Sequence, residues 1–139
     1  MDILQIAAIS CYSLVAMIAF IFSAMYLFRS RFMPYHADAV ELAWEDVDPK
    51  HQVLILALMR VTGGGWLSTG ISVIVLLVYP FRSDETWSLF AIPIIGLIMA
   101  SATLYAVLFI KKNTRANPPV GLVWVAILLL LLGFIFSII

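Results

Sequence analysis

Arg60 is the residue with the most chemical capacity in this sequence, and it stands in the stretch Leu58-Met59-Arg60-Val61-Thr62-Gly63-Gly64-Gly65-Trp66. A guanidinium is always charged and carries five donors in a rigid fork, which suits a phosphate, a carboxylate or a set of carbonyl oxygens. It lies seven residues into an apolar run that starts at Val53, about 10 Å deep at about 1.5 Å per residue. Holding it there costs about 2.5–3.5 kcal/mol on insertion scales, so it requires a partner or a route to water. None of the apolar runs contains Asp, Glu, His or Lys. By depth, Ser23, Ser101 and Tyr105 lie at comparable levels, with backbone carbonyls beside them, and Glu41 or Glu45 can fold back from the loop. Three roles follow from this placement. Arg60 is a partly snorkelled structural residue paired with such groups, an anion or lipid-phosphate site, or the partner of an acid on another subunit.

The remaining chemistry is sparse. His36 and His51 both precede the second apolar run, so a haem held between helices by two histidines finds no ligands. With Asp38 or Glu41 they lack regular ligand spacing, and no metal is expected. Proton-coupled export requires an intramembrane carboxylate, and there is none. The single cysteine, Cys11, has no second thiol with which to cycle and reads as a buried packing residue. No nucleophile, metal set or acid-base pair stands out, so no catalytic residue and no cofactor are assigned. The eight basic and eight acidic residues balance, which argues against a nucleic-acid partner.

The elements that position Arg60 follow from composition. Hydrophobic residues make up 64% of the chain and charged residues 12%, with a mean hydropathy of +1.10, so lipid rather than water is the solvent. Four runs, about 3–28, 53–79, 87–110 and 120–139, each approach or exceed the roughly 20 residues needed to span the hydrocarbon layer. Continuous apolar runs without alternation indicate helices, the spans that satisfy their own backbone in lipid. The expected fold is all-α, a single integral membrane domain over 1–139 built as a four-helix bundle. The first run is not a secretory signal, because Asp2 precedes it and Arg29 and Arg31 follow it, the reverse of the usual charge bias. Arg29, Arg31, Lys50, Lys111, Lys112 and Arg115 fall on one side and Arg82 on the other. The positive-inside rule then makes 29–52 and the loop after the third run cytoplasmic, with both termini outside.

Local signals refine this plan. Asp48-Pro49 reads as an N-cap and first helical residue, so the second helix is expected to start at Pro49. Tyr79-Pro80-Phe81 is expected to end it, with 83–87 as a tight outer turn. Within 35–47, Asp38, Glu41, Glu45 and Asp48 recur at spacings of three and four. One amphipathic interfacial helix would align them as a solvated face or as a docking stripe for a basic partner. Gly64, Ser68 and Ser72 are spaced by four, as are Gly65 and Thr69. With Gly63, and with Gly96 and Ala100 in the third run, they offer grooves for close helix packing. Three successive glycines also permit a local break that would present backbone groups beside Arg60.

Arg60 followed by Gly63, Gly64 and Gly70, in the second of four spans, resembles the small bacterial membrane proteins described as DoxX-like. The resemblance implies a four-helix inner-membrane fold and association with redox systems, and it transfers no catalytic residue. The function expected first is a non-catalytic accessory or assembly subunit of a larger inner-membrane complex, with lipids and other membrane subunits or copies of itself as partners. A carrier or binding module for a lipid-like or anionic small molecule, centred on Arg60, is the alternative. A redox-linked membrane enzyme is the third.

Overall fold

The computed structural model describes residues 2–83 and 85–139. Asp84 lies outside them, within the turn expected over 83–87. Four long apolar helices cross the chain's length: α1 (Ile3–Phe28), α3 (Pro49–Leu76), α4 (Ser88–Asn113) and α5 (Val120–Ile138), with a short α2 (Pro34–Val40) between the first two. No strand occurs among the described residues. Four spans of this length and hydropathy define a multi-pass helical membrane protein. In the ring order α1, α3, α4, α5, each long helix is antiparallel to its neighbours, as short connections dictate.

Packing in lipid gains little from hydrophobic transfer, so close steric fit must hold the helices together. Glycines supply that fit at four crossings. A Cβ on Gly133 of α5 would meet the Tyr12 ring of α1 at 2.8 Å, and one on Gly96 of α4 would meet Leu130 of α5 at 2.5 Å. On α3, Gly63 faces Leu27 at 2.8 Å and Gly70 faces the Phe20 ring at 3.1 Å. Tyr12 and Leu130 are fully buried, with Ile92, Val73 and Val123 around them. Buried positions on α3, Met59, Gly63, Trp66, Gly70 and Val73, recur at three and four residues, the stripe of a helix that buries one side.

Helix boundaries show which local signals act. Asp48 accepts from the Lys50 N–H at 2.9 Å and Pro49 opens α3, as its sequence indicates. The far end falls at the expected Tyr79-Pro80-Phe81, where Leu77–Phe81 continues α3 as a wide π turn that carries Pro80 and stops at Phe81. The wider turn accommodates a residue that lacks an N–H and would clash in a regular helix.

The loop between α1 and α3 differs from a single helix over 35–47. Pro34 opens α2, and Glu41 ends it in the left-handed region at φ 54°. A separate 3₁₀ turn follows at Trp44–Asp46. The reason is tertiary anchoring. Trp44 packs edge-on against Phe32 at 4.9 Å, and Phe32 and Val47 are buried with Met59 of α3. The amide of Gln52 clamps the return by donating to the Trp44 and Val47 carbonyls, at 2.8 and 3.1 Å. A continuous helix could not turn back to reach these anchors. The four acids therefore share no helical face. Asp38 stays on α2, Glu41 forms its end, Glu45 pairs with Arg31 at 3.5 Å and Asp48 caps α3.

Candidate functional site

Arg60 sits where α3 passes the end of α1. Its Nη1 donates to the Tyr26 carbonyl and its Nη2 to the Arg29 carbonyl, both at 2.8 Å. The last carbonyls of a helix have no intrahelical donor. The guanidinium fork supplies two of the missing donors. It also places a positive charge at the negative end of the α1 dipole. Gly63, one turn further along α3, lets the Leu27 backbone approach closely enough for this contact, since a Cβ there would sit 3.0 Å from Leu27 N. None of the hydrogen bonds Arg60 makes goes to Ser23, Ser101 or Tyr105. Among the described residues no carboxylate lies within ion-pair distance of it. Ser23 is buried on α1. Tyr105, 72% exposed, lies on the outer face of α4, its ring against Phe109 at 6.2 Å. Ser101 is exposed on the same helix.

Beside this junction α3 and α4 part. They meet where Gly65 faces Met99, a Cβ there lying 3.4 Å from the Met99 methyl. From that level toward the 29–52 loop they enclose a crevice of about 740 Å³. Its inner wall is aromatic: Trp66 stacks on Phe22 at 5.2 Å and 21°, and Phe22 stacks on Tyr26 at 6.5 Å. α2 forms the roof with Tyr35, His36, Ala39 and Val40, and Val123 of α5 and the preceding Pro119 also contribute. The rim carries Leu58 and Val61 of α3, the latter 75% exposed, and Ala102 and Ala106 of α4. The crevice thus opens sideways, toward lipid. Neither Arg60 nor any other ionised side chain belongs to its wall.

Most polar groups of the crevice cluster at the roof, with the Thr62 and Thr103 hydroxyls on the flanking helices α3 and α4. The Tyr26 and Tyr35 hydroxyls hydrogen-bond each other. Burial, together with the Tyr26 hydroxyl against it, pushes the Tyr35 phenol well above its ordinary value. His36 lies among the rings of Tyr26, Phe32 and Tyr35, and burial holds its imidazole below the usual histidine range. Its Nδ1 accepts from the Met33 N–H at 3.4 Å, which leaves the proton of the neutral ring on Nε2. Deeper in, Trp66 is 3% exposed. Its ring lines the crevice, and its indole N–H has no acceptor among the described residues.

The packing residues divide by face. Gly63, Gly65, Gly96 and the buried Ala100 serve contacts inside the bundle. Thr69 is buried and its hydroxyl donates to the Gly65 carbonyl at 2.9 Å, so α3 stays helical through the glycines. Gly64 meets nothing within 4 Å. Ser68 is exposed and Ser72 half-buried, so this stripe is turned outward.

The site is therefore a lateral apolar crevice in a four-span helical membrane protein, braced by a half-buried arginine. Set against family models, curated proteins and solved structures, the chain matches none of them.

Proposed function

We propose that the protein is a membrane binding module for a lipid-like molecule, seated in the crevice between α3 and α4. The observation that carries this reading is the crevice itself. Its volume of about 740 Å³ falls in the range of small-molecule sites, roughly 300–1,000 Å³. It is walled by apolar and aromatic side chains, open to the bilayer and covered by a short helix at the interfacial end. Arg60 supports the module by fixing the end of α1, which supplies Phe22 and Tyr26 to the wall. On the charge bias of the loops, the roof faces the cytoplasm of a bacterial cell.

Native mass spectrometry of the protein in mild detergent tests this. The wild type should retain a lipid through delipidation, and Ala106→Trp, which fills the mouth from an exposed α4 position, should lose it. Equal retention by both proteins, or none by the wild type, removes the proposal.

A second reading, an accessory subunit within a larger membrane assembly, is favoured by the outward face of Gly64 and Ser68. Small residues turned to lipid leave a groove into which a helix of another chain can pack. Gly64→Leu should then dissociate the assembly while leaving the isolated chain folded, and an unaltered assembly removes this reading.

A further inference from the structure

We infer that the occupant of the crevice is an uncharged lipid whose polar group is a hydrogen-bond-accepting carbonyl, held between the roof and the Trp66 indole. This rests on the crevice being a lipid site. It adds the chemical class of the lipid.

The inference follows from which polar atoms remain available. Trp66 Nε1 can only donate, and no described residue offers it an acceptor. With His36 Nδ1 occupied by the Met33 N–H, the Nε2–H is a second donor without a partner among the described residues. In the Tyr26–Tyr35 pair one hydroxyl proton bridges the two oxygens, and the other hydroxyl keeps its proton free to donate. The Thr62 hydroxyl, also in the wall, is already engaged with the Leu58 carbonyl at 3.0 Å. The wall thus offers several donors to a neutral acceptor and no cation to an anion. Burying a phosphate here would leave its charge without a counter-ion in a medium of low dielectric constant, because Arg60 is not part of the wall and its Nη1 and Nη2 each donate to a carbonyl at the end of α1. A pure hydrocarbon chain would instead leave the donors unanswered. A carbonyl on an apolar body meets both conditions, with the stacked rings of Trp66, Phe22 and Tyr26 against the body.

The test compares three probes on the delipidated full-length protein in mild detergent, with binding read by native mass spectrometry. These are a diacylglycerol, the dialkyl ether of glycerol with the same chain length, which lacks the carbonyls, and a phosphatidic acid. The diacylglycerol should bind about tenfold more tightly than the ether, which corresponds to about 1.4 kcal/mol. The phosphatidic acid should bind more weakly than the diacylglycerol. Trp66→Phe, which keeps a ring to stack on Phe22, should bring diacylglycerol binding down to the level of the ether, and His36→Phe should reduce it as well. If ester and ether bind equally and both are lost in Ala106→Trp, the crevice is a lipid site that ignores carbonyls, and the inference falls alone. Tightest binding by phosphatidic acid also overturns it. Should no probe bind, the inference and the lipid-site reading fall together.

Discussion

Replacing Arg60 with methionine isolates the work of the guanidinium, because methionine retains an apolar stem along α3. The bonds at stake run from Nη1 to the Tyr26 carbonyl and from Nη2 to the Arg29 carbonyl, both 2.8 Å long. Hydrogen bonds that involve a charged group contribute about 1.5–3 kcal/mol each, so the two together supply about 3–6 kcal/mol. In the unfolded chain the arginine snorkels to water, and bringing it back to depth costs about 2.5–3.5 kcal/mol. Arg60→Met forfeits the first quantity and recovers the second, which predicts a net change centred on a loss of about 1.5 kcal/mol and bounded by a gain of about 0.5 and a loss of about 3.5 kcal/mol. Arg60→Lys keeps a charge at the negative end of α1, a contribution of about 0.3–1 kcal/mol. A single ammonium does not reproduce the planar fork, so the lysine variant should fall between methionine and wild type. Equilibrium unfolding in mixed micelles, followed by helical circular dichroism, measures all three proteins. A methionine variant as stable as wild type, with the lysine variant indistinguishable from both, would show that the end of α1 does not depend on these donors.

Adjacent glycines should respond in opposite directions. Gly63→Ala puts a Cβ 2.8 Å from Leu27 Cγ and 3.0 Å from its backbone nitrogen, and should destabilise by about 1–3 kcal/mol in the same unfolding assay. Gly64→Ala meets nothing within 4 Å and should be neutral or stabilise by up to about 1 kcal/mol through helix propensity. Gly133→Ala presses on the Tyr12 ring at 2.8 Å and should cost a similar amount to Gly63→Ala, about 1–3 kcal/mol, because a buried ring cannot step aside. For pH, burial holds folded His36 below its ordinary 6.5, so the unfolded state takes up the proton first as pH falls. Its contribution is complete above the unfolded value and is lost as pH drops from there through the folded value. The thermal midpoint in detergent should decline over that window, and His36→Gln should flatten the decline.

How much of this was legible in the residues depends on the range of the forces involved. The four spans follow from local composition, since an uninterrupted apolar run has one stable form in lipid whatever its neighbours do. The start of α3 was legible for the same reason, as Asp48 and Pro49 act on the turn they belong to. The interfacial loop was legible only in part. Its acids recur at helical spacing, but Trp44, Val47 and Gln52 tie the chain to Phe32 and Met59, and those contacts outweigh a propensity worth less than about 0.7 kcal/mol per residue. Pro80 marked the end of the span but not the form of its last turn. It forbids a regular helical turn, yet Leu77–Phe81 widens to carry it.

Depth along a helix can be counted, whereas rotation about its axis is set by packing, and this distinction governs the site. Counting residues placed Arg60 level with groups on α1 and α4, but which of them it meets depends on the side of α3 that Gly63 presses against α1. That crossing turns the guanidinium to the end of α1 and Trp66 onto Phe22 of the same helix, while Gly65 faces Met99 of α4. The crevice left no mark in the sequence because it is a separation between α3 and α4, and no single residue encodes a gap. Trp66 was the available signal: a donor-bearing ring between glycines, deep in a span that offers it no acceptor, requires an acceptor from outside the chain if the indole N–H is to be satisfied.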